Sequence, residues 1–503
     1  MQTHAGAIPI SVISALLTAF ISYIVYQCLL SPLASFPGPF LAKVNKLWRA
    51  YATYRGRWHS DIVALHRRYG PVVRIGPNEL SIADPEAFLQ IYRLTWVLGA
   101  ALGTSRPFAK SASYSVVQGS RPFDLAGERN EKVHAAQRRL VARPYSMEST
   151  LRLEPQVDEL IRILLGKLDA VATPPTSQVI DLGHWLQLFA FDAIGIVSFT
   201  KPYGFLASGS DDGMFPRLEQ TMHSASWLMH AGWFFRLHQK VMPWLGNWLA
   251  VNDRNGYFFQ FAQREVQARK DHGGSDLDIV GQLFQAQQAK AELNDLTISY
   301  MMTSNVFAGS DTTSIALRAI FLNLIRHPHV MEKLRSELKN NLNSSPEKIV
   351  NAAEADSCPY LQAIIYEGLR VFSPAGFMLD RDVPAEGMMI GGRRVPGGSV
   401  VGTSPWVIHH SVEVWGEDAE EFRPERWIET ENPGHLRRFF FAFGGGTRTC
   451  IGRNISWLEI EKLVSTLVMR YDFKLAPDAV ISEYCGALVF LKDLRVQVSR
   501  RDI

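Results

Sequence analysis

The stretch from Asp295 to Arg326 constrains this chain more than any other. Apolar residues recur at helical spacing throughout, with Asn294 and Asp295 at the start and Pro328 just past the end. The pattern predicts one helix about 48 Å long. Between its ends the only charges are Asp311 and Arg318. A helix so apolar has to cross a large core, and core helices rarely keep an acid in the middle.

At 503 residues and 47% hydrophobic, the chain can bury such a core, which excludes a disordered protein or a disulfide-stapled miniprotein. The net charge of +3 and the absence of a basic stripe with interleaved aromatics speak against a nucleic-acid partner. Cys28, Cys358, Cys450 and Cys485 show no zinc-like spacing, which suits a reducing compartment. Helical periodicity also marks Asp158–Leu168, Asp181–Phe199, Val330–Asn340, Tyr360–Val371 and Ile451–Tyr471. Short β-like runs lie at Pro71–Gly76, Glu79–Ile82 and near 388–403. The expected fold is mainly α with small β-sheets.

Met1 to Ala42 contains no Lys, Arg, Asp or Glu. Ile8–Leu30 would span about 34 Å as a helix, enough for a hydrocarbon core of roughly 30 Å. No basic n-region or small-x-small cleavage site marks it as a signal peptide, so it reads as an uncleaved anchor. Lys43, Lys46, Arg49, Arg55 and Arg57 follow it, which places the body in the cytoplasm. Prolines at 32, 37 and 39 give a stiff tether. The expected organisation is an anchor over 1–30, a proline-rich hinge over 31–39 and one body over 40–503.

Near the C-terminus, Phe443-Gly-Gly-Gly-Thr-Arg448-Thr-Cys450-Ile-Gly452 runs straight into a helical pattern. Three glycines let backbone amides converge, and a helix N-terminus favours a thiolate. Arg448 offers a fork for a carboxylate or phosphate. By themselves these residues also suit a buried structural cysteine, a nucleophile or a phosphate loop.

The order FxxGxRxCxG resembles the haem loop of the cytochrome P-450 monooxygenases, a family that holds haem through a cysteine thiolate. Three more motifs stand in the family's order: Ala308-Gly-Ser-Asp311-Thr312-Thr313, Glu367-Gly-Leu-Arg370, and Phe422-Arg-Pro-Glu-Arg426-Trp. The resemblance covers essentially the whole chain. Arg74-Ile-Gly-Pro-Asn-Glu-Leu, Pro405-Trp-Val-Ile-His-His and Cys450-Ile-Gly-Arg-Asn-Ile-Ser look most like a fungal branch typified by pisatin demethylase.

The resemblance implies a cytochrome P-450 fold behind one transmembrane helix, in the endoplasmic reticulum membrane. It implies haem b with Cys450 as the axial thiolate, tuned by hydrogen bonds from nearby amides such as those of Gly446 and Gly452. Phe443 is expected to shield the sulfur. Asp311 and Thr312 are expected to deliver protons during oxygen cleavage, with Ala308 and Gly309 leaving room for dioxygen. The alternative is that Thr312 and Thr313 merely bond back to their own helix. Arg448, Arg138 and Arg381 are implied as propionate partners, as is His134, which stands where the family has tryptophan. Glu367, Arg370 and Arg426 are implied as a buried structural triad.

A flavoprotein reductase drawing on NADPH, with cytochrome b5 as a second donor, is implied as partner. Arg129, Lys132, Arg139, Arg437, Arg438 and Arg453 are candidates for its docking patch. Residues near 100–125, Asn305 to Phe307, Ala375 to Met378 and Gly486 to Leu488 are implied to line a pocket, which Phe307, Phe377 and Met378 make apolar. Trp227, Trp233, Phe234, Phe235, Trp244 and Trp248 suit a lipid interface, or ordinary packing. The implied activity is insertion of one oxygen atom into an apolar metabolite of fungal secondary metabolism. Repeated oxidation, desaturation, ring coupling, detoxifying demethylation and non-redox isomerase or dehydratase chemistry remain alternatives on the same scaffold.

Overall fold

The computed structural model describes residues 10–92, 108–172, 178–254, 256–342 and 348–501. Its axis is the helix Asp295–Arg326, with the bounds the sequence pattern predicts. Asn294 caps it, its Oδ1 accepting from the Thr297 N–H at 2.9 Å, and the chain leaves it at His327 ahead of Pro328. Ser299, Thr303 and Ser310 are buried, and each hydroxyl donates to the carbonyl four residues back, at 2.7–2.8 Å. Satisfied internally, such hydroxyls can cross a core without a desolvation penalty.

The helix Leu182–Phe199 packs along this axis and is buried almost throughout. It is long and apolar enough to cross a membrane, yet 89% of it lies inside the body, as a core helix does. Glu154–Ala172, Pro328–Asn341, Pro359–Val371 and Arg453–Arg470 surround the pair, each within four residues of its expected bounds.

The sheets are small. Val72–Gly76 pairs antiparallel with Glu79–Ile82, which pairs parallel with Val400–Gly402, and Arg381–Asp382 closes the edge. Val179–Asp181, Arg495–Arg500 and Tyr471–Leu475 form a second sheet. Ser482–Cys485 with Val489–Lys492 and Met388–Ile390 with Arg393–Val395 form hairpins. The strands beyond residue 470 had no counterpart in the sequence reading.

The N-terminal helix Ile10–Val25 continues through a π-helical turn, Tyr26–Leu30, and none of Ser11–Leu30 is buried in the body. Ile8 and Pro9 of the expected span lie outside the described residues. The proline-rich segment after it is packed down, with Leu33 and Phe36 buried. Arg74 fastens it: its Nη1 donates to the Gln27 carbonyl at 2.8 Å, and its Nη2 to Gln27 Oε1 at 2.8 Å and Ser31 Oγ at 3.2 Å. Its backbone N–H donates to Pro37 O at 2.7 Å, and a Cβ at Gly38 would lie 2.1 Å from Arg74 O, so only glycine fits there.

The aromatic cluster divides. Trp233, Trp244 and Trp248 are exposed beside Leu237 and Leu245, whereas Trp227, Phe234 and Phe235 are half-buried and pack inward.

Candidate active site

One cavity of about 470 Å³ opens between the core helix and the cysteine loop. The glycine run makes the loop possible. Gly444 and Gly446 adopt φ +68° and +61°, which turn the chain back so that Cys450 N–H donates to Phe443 O at 2.8 Å. Cys450 then faces the cavity, just before the helix Arg453–Arg470. The N–H groups of Gly452 and Arg453 point at its sulfur, opposing the burial that pushes the thiol up. Phe443 and Gly452 line the cavity beside it. Gly446 does not line it; it is exposed, and its positive φ places it in the turn.

Across from the loop, Ala308, Gly309 and Thr312 line the cavity from the core helix. Thr312 Oγ1 donates to Ala308 O at 2.6 Å. Gly309 differs from expectation in one respect. A Cβ there would lie 2.7 Å from Ile194 Cδ1, so the glycine secures helix–helix approach, and the space it spares is filled by Ile194. Asp311 points behind the wall, accepting from Gln187 Nε2 at 2.7 Å. Gln187 Oε1 in turn accepts from Arg318 Nη2 at 2.6 Å. Burial raises the Asp311 carboxyl to about 6, against the lowering effects of Gln187 and Arg318. The two internal charges of the axis therefore answer each other through Gln187. Thr313 takes a different course from Thr312: its hydroxyl pairs with Ser456 Oγ at 3.0 Å and is the hydrogen-bond partner of buried Glu459, which burial raises to about 8.

The expected cations gather at one end. Arg138 Nη1 donates to Thr449 O at 2.7 Å, Arg381 Nη1 to Leu379 O at 3.1 Å, and both line the cavity. Arg448 is partly committed, its Nε and Nη2 gripping Glu131 at 2.7–3.2 Å, while Nη1 is buried with no partner. His134 lines the wall as neutral imidazole, lowered to about 3 by burial and then by Arg448. Lys110, which sequence reasoning missed, joins them, its ammonium on Ala126 O at 2.7 Å and its pKa far down through burial and Arg448. Nothing local marks that lysine; only the fold brings it there.

A haem fits these residues. A thiol with two amides aimed at its sulfur faces the cavity, and close by are an orphaned guanidinium nitrogen and several basic side chains without a carboxylate partner among the described residues. Such a set suits an iron ligand beside two propionates.

Behind the loop, Glu367, Arg370 and Arg426 come together fully buried. Arg370 donates to both Glu367 oxygens at 2.8–2.9 Å, Arg426 Nε donates at 2.8 Å, and Trp427 Nε1 and the Arg423 N–H donate at 2.9 Å. The guanidiniums also cap the carbonyls of His409, Trp415, Asp418, Ala419 and Glu421. His409 passes this order to the loop. Its Nε2 accepts from the Phe441 N–H at 2.7 Å, so its proton belongs on Nδ1, which faces Arg370 O at 3.1 Å. Arg370 lowers its pKa further after burial, and it stays neutral. Phe441 is a wall residue of the cavity.

Of the expected pocket residues, Asn305, Phe307, Phe377, Ala375 and Leu488 line the cavity. Asn305 is held by Tyr145 Oη at 2.8 Å and Ser198 Oγ at 3.2 Å. Met378 does not line it; it is turned into the core at 2% exposure. Tyr114, Val116 and Val117 line it from the 100–125 region, whose first part lies outside the described residues. Lys132, Arg139, Arg437, Arg438 and Arg453 are exposed without a carboxylate partner among the described residues, while Arg129 pairs with Asp382 at 3.1 Å.

A profile of the cytochrome P450 family matches residues 35–499. The chain is 52% identical over 474 residues to the cytochrome P450 monooxygenase hepC of Aspergillus oryzae, covering 91% of this chain and 90% of that one. It is 33% identical to the cytochrome P450 monooxygenase cicH of Emericella nidulans, over 88% and 89% of the two chains. Pisatin demethylase of Fusarium vanettenii is also 33% identical, over 93% and 88%.

Proposed function

The chain belongs to the cytochrome P450 monooxygenases, and from that premise we propose that it oxygenates an apolar small molecule of a fungal secondary pathway. The observation that carries this reading is the apolar cavity bounded by Cys450 on one side and Ala308 and Thr312 on the other.

Haem held by Cys450 supplies dioxygen activation when bound, with electrons from a flavoprotein reductase. The N–H groups of Gly452 and Arg453 hold the sulfur's charge in place, and Phe443 excludes water from it. Arg448 Nη1, Arg381, Arg138 and Lys110 would receive the propionates. Thr312 Oγ1 presents a hydroxyl at the cavity wall, and Asp311, raised to about 6, can take up and release a proton one residue behind it. Gln187 sets the Asp311 side chain, and its bond to Arg318 keeps that amide from rotating. Lys132, Arg139, Arg437, Arg438 and Arg453 offer an acidic reductase a docking face. The exposed Ser11–Leu30 helix and the tryptophan patch seat the body on a membrane from which an apolar substrate can enter.

Deleting the gene in its fungal host and comparing extracts by mass spectrometry and NMR tests the reading. Accumulation of a compound lacking one oxygen relative to the lost product supports it. A change of two hydrogens replaces it with desaturation or ring closure, and an unchanged extract refutes a biosynthetic role.

A further inference from the structure

Among the described residues, five Lys and Arg side chains and no carboxylate line the cavity. Four of them, Lys110, Arg138, Arg381 and Arg448, crowd His134 and together depress its proton affinity. That group is ample for two propionates. Arg254 is the fifth and is not among the groups that chiefly depress His134. Its Nη1 donates to Val117 O at 2.8 Å, and its Nη2 reaches Ser304 Oγ at 3.3 Å.

Arg254 shares one carboxylate with a second guanidinium. Asp124, fully buried, takes Arg254 at 3.2 Å and also pairs with Arg121, itself 2% exposed. Two cations thus stand against one anion. The excess is visible atom by atom, since Arg254 Nε and Arg121 Nη1 are buried with no partner. It is visible in Arg121 as well, lowered to about 9 by burial and then by Arg254. Val116, Val251 and Phe307 form the apolar wall around this charge. A buried surplus cation at the edge of an apolar cavity is costly unless an anion completes it.

We infer that Arg254 receives a carboxylate carried by the substrate, which is then an apolar acid rather than a neutral hydrocarbon. This rests on the oxygenase reading given above. Ser304, the partner of Arg254, precedes Thr312 by eight residues on one helix, which separates them by about 12 Å. The acid end is therefore held two turns from the Thr312 turn, and oxidation falls on a carbon remote from the carboxylate.

The test uses the full-length haem-loaded enzyme, with straight-chain fatty acids and their methyl esters as probes. Binding is read from the haem absorption shift and from calorimetry. The acids bind roughly tenfold to a hundredfold more tightly than the esters, the worth of one buried charge-assisted hydrogen bond. Arg254→Gln abolishes that ratio and leaves ester affinity unchanged, while Arg254→Lys retains most of it. Equal binding of acid and ester, no binding of any acid in the series, or an acid preference that survives Arg254→Gln overturns the inference. The carbon monoxide spectrum of the same reduced samples separates the two failures. A thiolate-type spectrum without acid preference sinks only the substrate class, whereas its absence in the unaltered enzyme sinks the oxygenase reading too.

Discussion

Replacing Glu367 with glutamine changes one oxygen to NH₂, and the surroundings make that small change severe. Oε1 accepts from Arg370, Arg426 and the Arg423 N–H, and Oε2 accepts from Arg370 and Trp427. Whichever way the amide turns, its NH₂ faces at least two donors, and two buried guanidiniums lose their shared anion. Removing one partner of a buried ion pair costs about 3–5 kcal/mol. With an unfolding entropy of about 2.1 cal/mol/K per residue, a body of this length shifts by about 1 °C per kcal/mol. Thermal unfolding of the haem-loaded protein is therefore expected to fall by about 3–5 °C. Substituting apolar residues at all three positions is not expected to restore it, because the carbonyls of His409, Trp415, Asp418, Ala419 and Glu421 then lose their donors. The carboxyl is held below its ordinary value after the arginines overcome its burial, so its contribution persists down to about pH 4 and fades as acid protonates it. A Glu367→Gln protein melting within 1 °C of the parent by these same scales, or a triple apolar variant of full stability, refutes the reasoning.

Three further outcomes follow from other parts of the molecule. Asp311 is raised to about 6, so ionising it costs the fold up to about 3 kcal/mol above pH 6 and nothing below the unfolded value near 4. Asp311→Asn is expected to melt higher than the parent at neutral pH, with the gap closing as pH falls, while losing proton delivery; melting curves across pH check the first and product yield per reductant consumed the second. Gly309→Ala gains roughly 1 kcal/mol in helix propensity but loses about 1–3 kcal/mol by overpacking. Its net loss should shrink in an Ile194→Val background, because the Cδ1 lying 2.7 Å from the new methyl is gone, and a double-mutant melting cycle reads the difference. Removing residues 1–30 should leave weak binding to lipid vesicles through the tryptophan patch. Trp244→Ser in that shortened chain should cut the remainder at least tenfold in a sedimentation assay, since burying one large apolar side chain is worth about 1.5–3 kcal/mol.

The sequence disclosed what long periodic patterns and tight local motifs can carry. The core helix appeared with its true ends because the Asn294 cap and Pro328 are local signals. The cysteine loop was legible because its glycines, arginine and cysteine lie within ten residues. Glu367, Arg370 and Arg426 could be grouped only through the family resemblance, since 56 residues separate the last two. Partners assembled by the fold stayed hidden: Gln187 behind Asp311, Lys110 beside Arg448, and His409 between Arg370 and Phe441. Each is contributed by an element remote in sequence, and a lone polar residue on an amphipathic face gives no sign of what it will meet. Gly309 was legible as a constraint, but its neighbour Ile194 was not. The C-terminal strands failed to register because runs of four to six residues with few branched positions are too short to show a period.

The grip of Arg74 on Gln27 and Ser31 bears on how this protein meets its surroundings in two dimensions. A mast stepped into the deck turns with the hull, whereas a rope does not. With the end of the apolar helix locked to the first strand, heading and tilt of the body become properties of the chain rather than averages over a swinging leash. On the membrane seating proposed above, collisions with other proteins diffusing in the same sheet of lipid then occur at a restricted set of angles. Lengthening the segment between Leu30 and Leu33 by one residue would alter that bearing without touching a single residue of the cavity.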